Sequence, residues 1–425
     1  MSLTIAHMEG NQVDTLKVKI QTLTPIWTGG VDRTCDRLHE TGIIGSLRSW
    51  YEAVVRGLGG KACDPTSEHA GQRCQFSSDA YSQARKEGKP HEEALAAGLK
   101  TVCPVCYLFG TTGWARLFTL RVSEVQTVPL HFRTVVGPNK GWLLRIFGGE
   151  NHNIASQQVP FGTISFDIVW RRNYGKFVQR QLSLLFTLAA EYGGIGARLQ
   201  HGFGLFRLVS PLDEQDIREA LKDLKNRISS GLLGTQVESS DDLFSLQNLI
   251  VLDCEIPRDR LIRYLEKGVH IGSATMSNEH RYIPCAFDLR YKMDSDHFGL
   301  RQWLKQQGWK ETNDPKKWEE LDLLLGPRAQ WSIGKKAIRI HEDYRRAGSV
   351  AFGMPYLKEG CQDVYMLRVL AFWRPSLKAR LRSPEDLKKL LKTYVLEVFN
   401  IEDSKVTERT GKEFFSKYEQ VGNGA

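Results

Sequence analysis

Four cysteines in the first part of the chain have the residue type and the spacing of a metal site. Cys103 and Cys106 form a C-x-x-C pair whose thiolates can bind one Zn²⁺, and Cys63 and Cys74 can complete a tetrahedral set. All four lie in a polar stretch at about 60–112, which we interpret as an insertion. A small irregular insertion has little core of its own, and a metal ion can stabilise it. The sequence therefore predicts structural zinc held by these four residues.

Other interpretations of the cysteines remain open. The four can be reduced structural thiols, since the interval between Cys63 and Cys74 is unusual for a zinc site. A redox C-x-x-C pair is less favoured, because such a pair follows a strand and opens a helix in a thioredoxin-like unit. The remaining cysteines are scattered and are interpreted as small core residues: Cys35, Cys254, Cys285 and Cys361.

A glycine-rich stretch at 193–204, G-G-I-G-A-R-L-Q-H-G-F-G, is the second candidate for chemistry. It places Arg198, Gln200 and His201 between glycines and follows a helix-like run at 177–192. A helix end followed by a loop with amide donors and a cation can bind phosphate groups. The alternative is a helix C-cap followed by a hairpin turn, although turn chemistry needs only one or two of these glycines.

Candidate catalytic residues are fewer. Asp32, Asp36 and His39 lie in the loop after the first predicted strand, and His201 lies in the glycine-rich stretch. A histidine can activate the 2′-hydroxyl of RNA without a metal, but no paired acid and base is evident, and turn capping explains the aspartates. The sequence holds no Walker A loop, no G-x-S-x-G and no H-E-x-x-H motif. We predict a protein that is not an enzyme, with an endoribonuclease as the alternative.

Composition favours a protein with polyanionic partners. The formal net charge is +9, which favours such partners but does not by itself establish nucleic-acid binding. The chain contains no apolar run of about 18 residues and no basic segment followed by an apolar one at its start. We therefore expect no membrane span and no secretory signal, and we predict a cytoplasmic protein.

Hydrophobic periodicity predicts the elements that position these candidates. In the first half, strands are predicted at 15–20, 116–126, 161–171 and 203–209, with helices starting near Gly45 and at 177–192. This β-α-β-β-α-β order is that of the ferredoxin-like fold, which RNA-recognition modules share. The second half repeats the pattern more weakly, with strands at 248–256, 281–291 and 364–373 and helices at 300–307 and 384–399.

Length and pattern together predict the domain organisation. A chain of 425 residues exceeds what one core usually supports. We predict an α+β protein with tandem ferredoxin-like (RRM-like) domains. The first spans 1–210 and contains the zinc-binding insertion, a helical linker follows at 211–245, and the second domain spans 246–425.

Four motifs in this order resemble the RAMP superfamily of CRISPR–Cas proteins. They are T-P-I-W-T-G at 24–29, I-I-G-S-L-R-S-W-Y at 43–51, C-P-V-C-Y-L-F-G at 103–110 and the glycine-rich stretch. The motif at 43–51 looks most like that of the first-numbered subunit of the type III-B Cmr effector complex. The resemblance covers about the first 210 residues well, and the second half only as a repeated fold.

The resemblance implies a non-catalytic RNA-binding subunit of the Cmr complex in antiviral defence, which holds the 3′ part of the CRISPR RNA and/or target RNA. Other Cmr RAMP subunits would be its partners. Phosphate contacts would suit a guide of variable sequence, because base pairing supplies specificity. The predicted RNA-binding residues come from the loop after the first strand, the start of the first helix, the glycine-rich stretch and a basic run: Trp27, Thr28, Gly29, Ser46, Arg48, Gly194, Gly196, Arg198, Gln200, His201, Lys335, Lys336, Arg345 and Arg346.

These assignments also have structural alternatives. Trp27 can stack on a base, but an aromatic residue after a strand is more often a core residue. Arg48 can be a surface arginine whose stem lies along a buried helix. The basic run at 335–346 can be a solvated face. A third class of function is a protein–protein scaffold that barely contacts RNA.

Overall fold

The computed structural model describes residues 15–30, 35–64, 73–133, 154–171, 174–231, 233, 242–266, 289–290, 298–311, 319–326, 330–333, 336–339 and 348–419. These residues form α-helices and antiparallel sheets, which confirms the predicted α+β class. Among them, no helix is both long and apolar enough to cross a membrane.

The first half is built on a four-stranded antiparallel sheet. Its strands are β1 (Thr15–Thr22), β2 (Phe118–Arg133), β3 (Ile154–Trp170) and β4 (Phe206–Leu208), in the spatial order β2-β3-β1-β4. The alternating sequence of β1 turns Val18 and Ile20 into the core and leaves Lys17 and Lys19 exposed. One face of this sheet is therefore packed and the other is solvated.

The first helix, α1 (Glu40–Gly57), begins earlier than predicted. The residues of α1 before Ile43 are not buried, so the apolar periodicity starts only at Ile43. The sequence pattern therefore revealed only the buried part of the helix. Ser46 and Arg48 consequently lie beyond the first turn. The prediction that they lie at the anion-binding end of this helix is wrong, because unpaired N–H groups are confined to the first turn.

Three short helices fill the predicted insertion: α2 (Ser78–Lys86), α3 (His91–Leu99) and α4 (Pro104–Phe109). The hydroxyl of Ser77 accepts a hydrogen bond from the N–H of Ala80 and caps α2. Val105 and Leu108 of α4 are fully buried and belong to the same core as α1. The insertion is thus attached to the first half mainly through α4.

Two further helices follow β3. The predicted helix at 177–192 is α5 (Gly175–Tyr192), and α6 (Glu214–Ser229) packs beside it. The carboxylate of Asp213 caps α6 by accepting a hydrogen bond from the N–H of Gln215 at 2.9 Å. The glycine-rich stretch lies between α5 and β4.

The second half contains another antiparallel sheet. Its strands are β5 (Leu249–Pro257), β8 (Val350–Phe352), β9 (Tyr356–Leu357), β10 (Val364–Phe372) and β11 (Val406–Thr410), in the order β11-β5-β10-β8 with β9 beside β10. A separate hairpin is formed by β6 (Gln330–Ile333) and β7 (Lys336–Arg339). The described helices are α7 (Arg258–Glu266), α8 (Leu300–Gln306), α9 (Glu320–Leu325), α10 (Pro384–Phe399) and α11 (Gly411–Glu419).

Most predicted elements of this half are present. The helix predicted at 384–399 is α10, which starts at Pro384 after the capping residue Ser383. The strand predicted at 281–291 lies almost wholly outside the described residues. The two halves are packed together, since Phe414, Phe415 and Tyr418 of α11 belong to the core of the first half. The boundaries predicted at 210 and 246 stay a prediction.

A buried ion cluster joins the second sheet to the first half. The guanidinium of Arg368 on β10 donates to Asp253 Oδ1 on β5 at 2.7 Å, and Arg409 also pairs with Asp253. Arg368 Nη1 donates to the carbonyls of Ala190 and Gly193 at 3.0 and 3.4 Å, where α5 ends. This face of the second sheet is therefore occupied by contacts within the chain.

Candidate metal centre and nucleic-acid interface

The structure brings the four predicted cysteines together. Cys63 follows the end of α1, Cys74 precedes α2, Cys103 is the residue before α4, and Cys106 lies in the first turn of α4. Their sulfur atoms all lie within 4.8 Å of one another, and all four side chains are buried. Residues that are far apart in sequence thus form one cluster that could hold a metal ion.

The distances in this cluster fit four thiolates around one ion. Sγ of Cys63 lies 3.3 Å from Sγ of Cys106 and 3.8 Å from Sγ of Cys103. With Zn–S bonds of about 2.3 Å, the sulfurs of a tetrahedral site lie about 3.8 Å apart. The N–H of Cys103 donates to Sγ of Cys74 at 3.2 Å, and the N–H of Cys106 points at Sγ of Cys103 at 3.5 Å. Such donors stabilise thiolates.

Arg48 lies against this cluster. Its Nη2 is 3.1 Å from Sγ of Cys106 and 3.7 Å from Sγ of Cys63. The Cys103 thiol and the Arg48 charge both lower the pKa of Cys106 below its ordinary value. The predicted role of Arg48 in RNA binding therefore has a competing role, since its guanidinium faces sulfur inside the protein.

The glycine-rich stretch is held by hydrogen bonds between backbone groups. The N–H of Ile195 donates to Gly204 O at 3.0 Å, the N–H of Gly204 to Pro25 O at 2.8 Å, and the N–H of Ala197 to Trp27 O at 2.7 Å. These amides are therefore used inside the protein, which differs from the expectation that the loop offers its N–H groups to phosphate.

Close packing explains why several of these residues are glycine. A Cβ on Gly204 would lie 2.1 Å from Ile195 O, and one on Gly194 would lie 2.5 Å from Gly204 O. The φ angle of Gly204 is +88°, which side chains disfavour. Much of the glycine content thus serves close approach of backbone to backbone within the protein.

The second half also contacts this stretch. The N–H of Met354, just after β8, donates to Gly202 O at 3.1 Å. A Cβ on Gly202 would lie 2.6 Å from that nitrogen. Sequence reasoning missed Met354 and Arg368, because no local pattern links them to a loop more than a hundred residues earlier.

The crest of the stretch, which we define as residues 196–201, reaches the surface. Gln200 is exposed, and Arg198 and His201 are half-buried. Arg198 has a φ angle of 62°, in the left-handed region that residues with a side chain rarely adopt. Its guanidinium lies 4.0 Å from the centre of the Trp27 ring. The strained backbone and the aromatic contact fix this cation at the crest.

Charge at the crest comes from Arg198 rather than from His201. Burial lowers the pKa of Arg198 to about 10, so it stays protonated at neutral pH. Burial and the charges of Arg290 and Arg198 lower the pKa of His201 to about 3. His201 is therefore neutral at physiological pH.

The side chains of Trp27 and Thr28 are buried and do not face solvent. The Trp27 side chain is 1% exposed and packs edge-on against Phe203. Thr28 Oγ1 donates to Arg37 O at 2.8 Å and accepts from the N–H of His39 at 2.9 Å. These contacts favour a core role for both residues over base stacking.

The other predicted RNA-binding residues that the structure describes lie in separate elements. Gly29 is exposed after the Thr28 contact, and Ser46 is half-buried on α1. Lys336 begins β7. The remaining basic residues lie outside the described residues: Lys335, Arg345 and Arg346.

Asp36 and His39 form a pair before α1. His39 Nε2 and Asp36 Oδ1 are 2.6 Å apart, and hydrogen bonding to His39 lowers the pKa of Asp36. Burial raises the pKa of the nearby Cys35 thiol, which the charges of Asp36 and Arg198 also affect. Asp32 lies outside the described residues.

Comparisons with known proteins bear mainly on the first half. Residues 19–207 match the family model "RAMP superfamily", and all four motifs lie within this range. The RAMP resemblance is therefore confirmed for this part of the chain. A search of curated proteins finds no match.

Two solved structures are similar to this chain at low sequence identity. One is the apo crystal structure of Cmr1 from Pyrococcus furiosus, with 14% identity and a TM-score of 0.40, covering 94% of this chain and 99% of that one. The other is a cryo-EM structure of Type III-B Cmr-beta bound to cognate target RNA, with 11% identity and a TM-score of 0.39, covering 89% and 99%.

Proposed function

We propose that this chain, which carries a RAMP superfamily region at residues 19–207, is a non-catalytic RNA-binding subunit of a type III-B Cmr effector complex. It would hold the 3′ part of the CRISPR RNA and/or target RNA in antiviral defence, in the cytoplasm and beside other Cmr RAMP subunits. The family match and the four ordered motifs within it support this assignment.

The observation that carries RNA binding is the fixed cation at the crest. Arg198 remains charged, lies over Trp27 and is held by a strained backbone between the two halves. Strained residues that a surrounding structure enforces occur often at binding sites. A guanidinium with exposed Gln200 beside it offers donors that suit a phosphate oxygen and require no particular base.

The strand orders support the finer prediction of the fold. Both sheets place the first strand of the half in the centre: β1 lies between β3 and β4, and β5 lies between β10 and β11. The far edges are β2 beside β3 and β8 beside β10, and the second sheet adds the short β9 beside β10. In the first half, α1 follows the first strand and α5 follows the third. We propose that both halves are ferredoxin-like domains, and that the second uses its sheet face to join the first rather than to bind RNA.

Zinc is the metal that the cysteine cluster suits best. Four thiolates favour a soft or borderline ion, and a closed set of four protein ligands is typical of structural zinc. We assign Cys63, Cys74, Cys103 and Cys106 as the ligands, and their sulfur separations fit one tetrahedral ion. Zinc here would stabilise the insertion and take no part in a reaction.

The function can be tested with the purified full chain and an unstructured RNA. Fluorescence anisotropy at several salt concentrations measures affinity and its salt slope, and a denaturing gel shows whether the RNA stays intact. We expect binding that weakens steeply with salt and no cleavage. Arg198→Asn should weaken binding and reduce the slope by about one unit, because one phosphate contact is lost.

The variant is chosen to spare the backbone. Asn tolerates the left-handed region better than other residues, so Arg198→Asn removes the charge with little added strain. Arg218→Gln on α6 is the matched control, since it removes one charge where Arg218 pairs with Glu214. Equal losses in the two variants, or no binding by the wild type, would contradict the proposal and favour a scaffold.

An endoribonuclease is the second candidate, and the Asp36–His39 pair favours it. A carboxylate that orients a histidine is a common arrangement for a general base. If the gel shows cut RNA, His39→Gln and Asp36→Asn should abolish cleavage and retain binding. Intact RNA with the wild type would rule against this candidate.

A further inference from the structure

We propose that Arg48 partly neutralises and orients the zinc–thiolate centre, so that α1 is part of the metal site. The inference rests on the zinc assignment above and concerns a residue for which the sequence suggested RNA binding. It is carried by the contacts of one guanidinium and by the charge that the centre would have.

The charge of the centre requires compensation. Four thiolates around Zn²⁺ have a net charge of −2, because cysteine binds zinc only as the thiolate. The four cysteines are between 0% and 3% exposed, so water reaches this charge poorly. A buried charge is costly unless it is paired and hydrogen-bonded. Arg48 is the cation that the described structure places against the sulfurs.

The guanidinium is fixed in three directions. Nη2 faces Sγ of Cys106 and Cys63, Nε donates to Glu52 Oε1 at 3.1 Å, and Nη1 donates to Gly110 O at 3.3 Å. Gly110 ends α4, the helix whose start carries two of the ligands. Arg48 thus binds both ends of α4, which the planar fork of arginine permits and the single ammonium of lysine does not.

Consecutive ion pairs along α1 support this orientation of the Arg48 guanidinium. Glu52 lies one turn after Arg48 and also faces Arg56, whose Nη2 is 3.5 Å from Glu52 Oε2. Arg56 Nη1 donates to Phe244 O at 3.1 Å, in the segment that enters the second half. The same carboxylate therefore contacts both arginines, and of these two it is Arg48 that contacts sulfur.

Arg56→Met is consequently a matched control for Arg48→Met. Both variants remove a half-buried arginine from α1 and a partner from Glu52. The purified full chain is stripped of metal, and the Zn²⁺ dissociation constant is measured by competition with a chromophoric chelator. We expect Arg48→Met to weaken Zn²⁺ binding by roughly 10- to 100-fold, the usual effect of losing a residue that supports the ligands. Arg56→Met should bind Zn²⁺ like the wild type, and Arg48→Lys should fall between.

A spectroscopic readout keeps the inference testable if Arg48→Met does not fold. In the Co²⁺-loaded protein, the single ammonium of Arg48→Lys is shared between Glu52 and the sulfurs, so its weaker N–H donation to sulfur should move the sulfur-to-cobalt charge-transfer bands to longer wavelength. Arg56→Met should leave these bands in place. Unchanged bands in Arg48→Lys, or equal Zn²⁺ affinities for Arg48→Met and Arg56→Met, would overturn the inference. A wild type that binds neither metal would overturn the zinc assignment itself.

Discussion

The cysteine-bearing insertion and the glycine-rich stretch are positioned in opposite ways. In the insertion, side-chain sulfurs from three separate places converge, and Arg48 of α1 contacts two of them. In the glycine-rich stretch, backbone groups bond to the loop after β1 and to Met354 of the second half. The first region depends on ligand chemistry, whereas the second depends on the absence of side chains.

In our proposal, the insertion contributes to the stability of the protein and the glycine-rich stretch contributes to RNA binding. The insertion gains order from a metal that, in our proposal, never meets RNA. The glycine-rich stretch needs no ligand to hold its shape, so its crest can present Arg198 in a fixed position before RNA arrives. Preorganised donors lose less conformational entropy on binding than mobile ones. In our proposal, the region with the cysteine ligands is therefore structural, and the glycine-rich stretch is the region that binds RNA.

Removing the metal should produce the largest effect and should be confined to the insertion. Cys106→Ser or a strong chelator should expose the insertion to limited proteolysis, because the free energy of metal binding is folding free energy in such segments. Hydrogen exchange at 193–204 should change little. Cys361→Ser, which changes a half-exposed cysteine outside the cluster, is the control. Equal protease resistance with and without chelator would contradict the metal assignment.

Arg368→Met should produce the next largest effect, now on the glycine-rich stretch. It removes one of two cations from the buried Asp253 and leaves the carbonyls of Ala190 and Gly193 without this donor. Breaking a buried pair costs about 3–5 kcal/mol of unfolding free energy. Chemical denaturation measures the loss, and Arg258→Met, an exposed arginine near Asp363, is the control. A loss no larger than that of the control would show that the halves are not joined in this way.

Gly204→Ala should destabilise the protein by about 3 kcal/mol, because the new Cβ meets a carbonyl oxygen and the φ angle is positive. Gly88→Ala provides the comparison. Its φ angle is similarly positive at +81°, but a Cβ there meets nothing within 4 Å, so only strain of about 1 kcal/mol remains. Equal losses for the two variants, measured by denaturation, would refute the close backbone packing.

The smallest expected effect is a pH dependence that His201 contributes. Its folded pKa of about 3 lies below the unfolded value near 6.5, so the unfolded chain binds the extra proton as the pH falls. The contribution of His201 to the free energy of unfolding is present above about pH 6.5 and declines as the pH falls toward 3. Between pH 7 and pH 5.5 the loss should be about 1 kcal/mol. His201→Gln should remove this loss of about 1 kcal/mol between pH 7 and pH 5.5. An unchanged pH dependence would contradict a neutral His201 with a lowered pKa.

Local patterns in the sequence predicted many of the elements and the four cysteines that cluster. Alternation identified β1, periodicity identified α10, and the C-x-x-C pair led to the four clustered cysteines. These features depend on residues close in sequence or on one strong residue type. The α+β class and the RAMP resemblance followed from the same signals, and both are confirmed for the parts described above.

What the sequence missed depends on contacts over long separations. Arg48 appears on an apolar helix start as a surface cation, and nothing near it in sequence shows that Sγ of Cys106 lies 3.1 Å away. Trp27 follows a strand, and its burial depends on Phe203 and Arg198 from the other end of the first half. The glycines suggested a phosphate loop because glycine signals close approach without showing whether a ligand or the protein's own backbone is approaching.

The most direct test of the central claim is to locate bound RNA by crosslinking. The full chain is irradiated with 4-thiouridine-labelled RNA, alone and after assembly with its partner subunits, and the crosslinked peptides are identified by mass spectrometry. The account predicts crosslinks on the peptide that contains the crest, reduced by Arg198→Asn, and none on 73–110. Crosslinks confined to the insertion, or an unchanged pattern in Arg198→Asn, would contradict it.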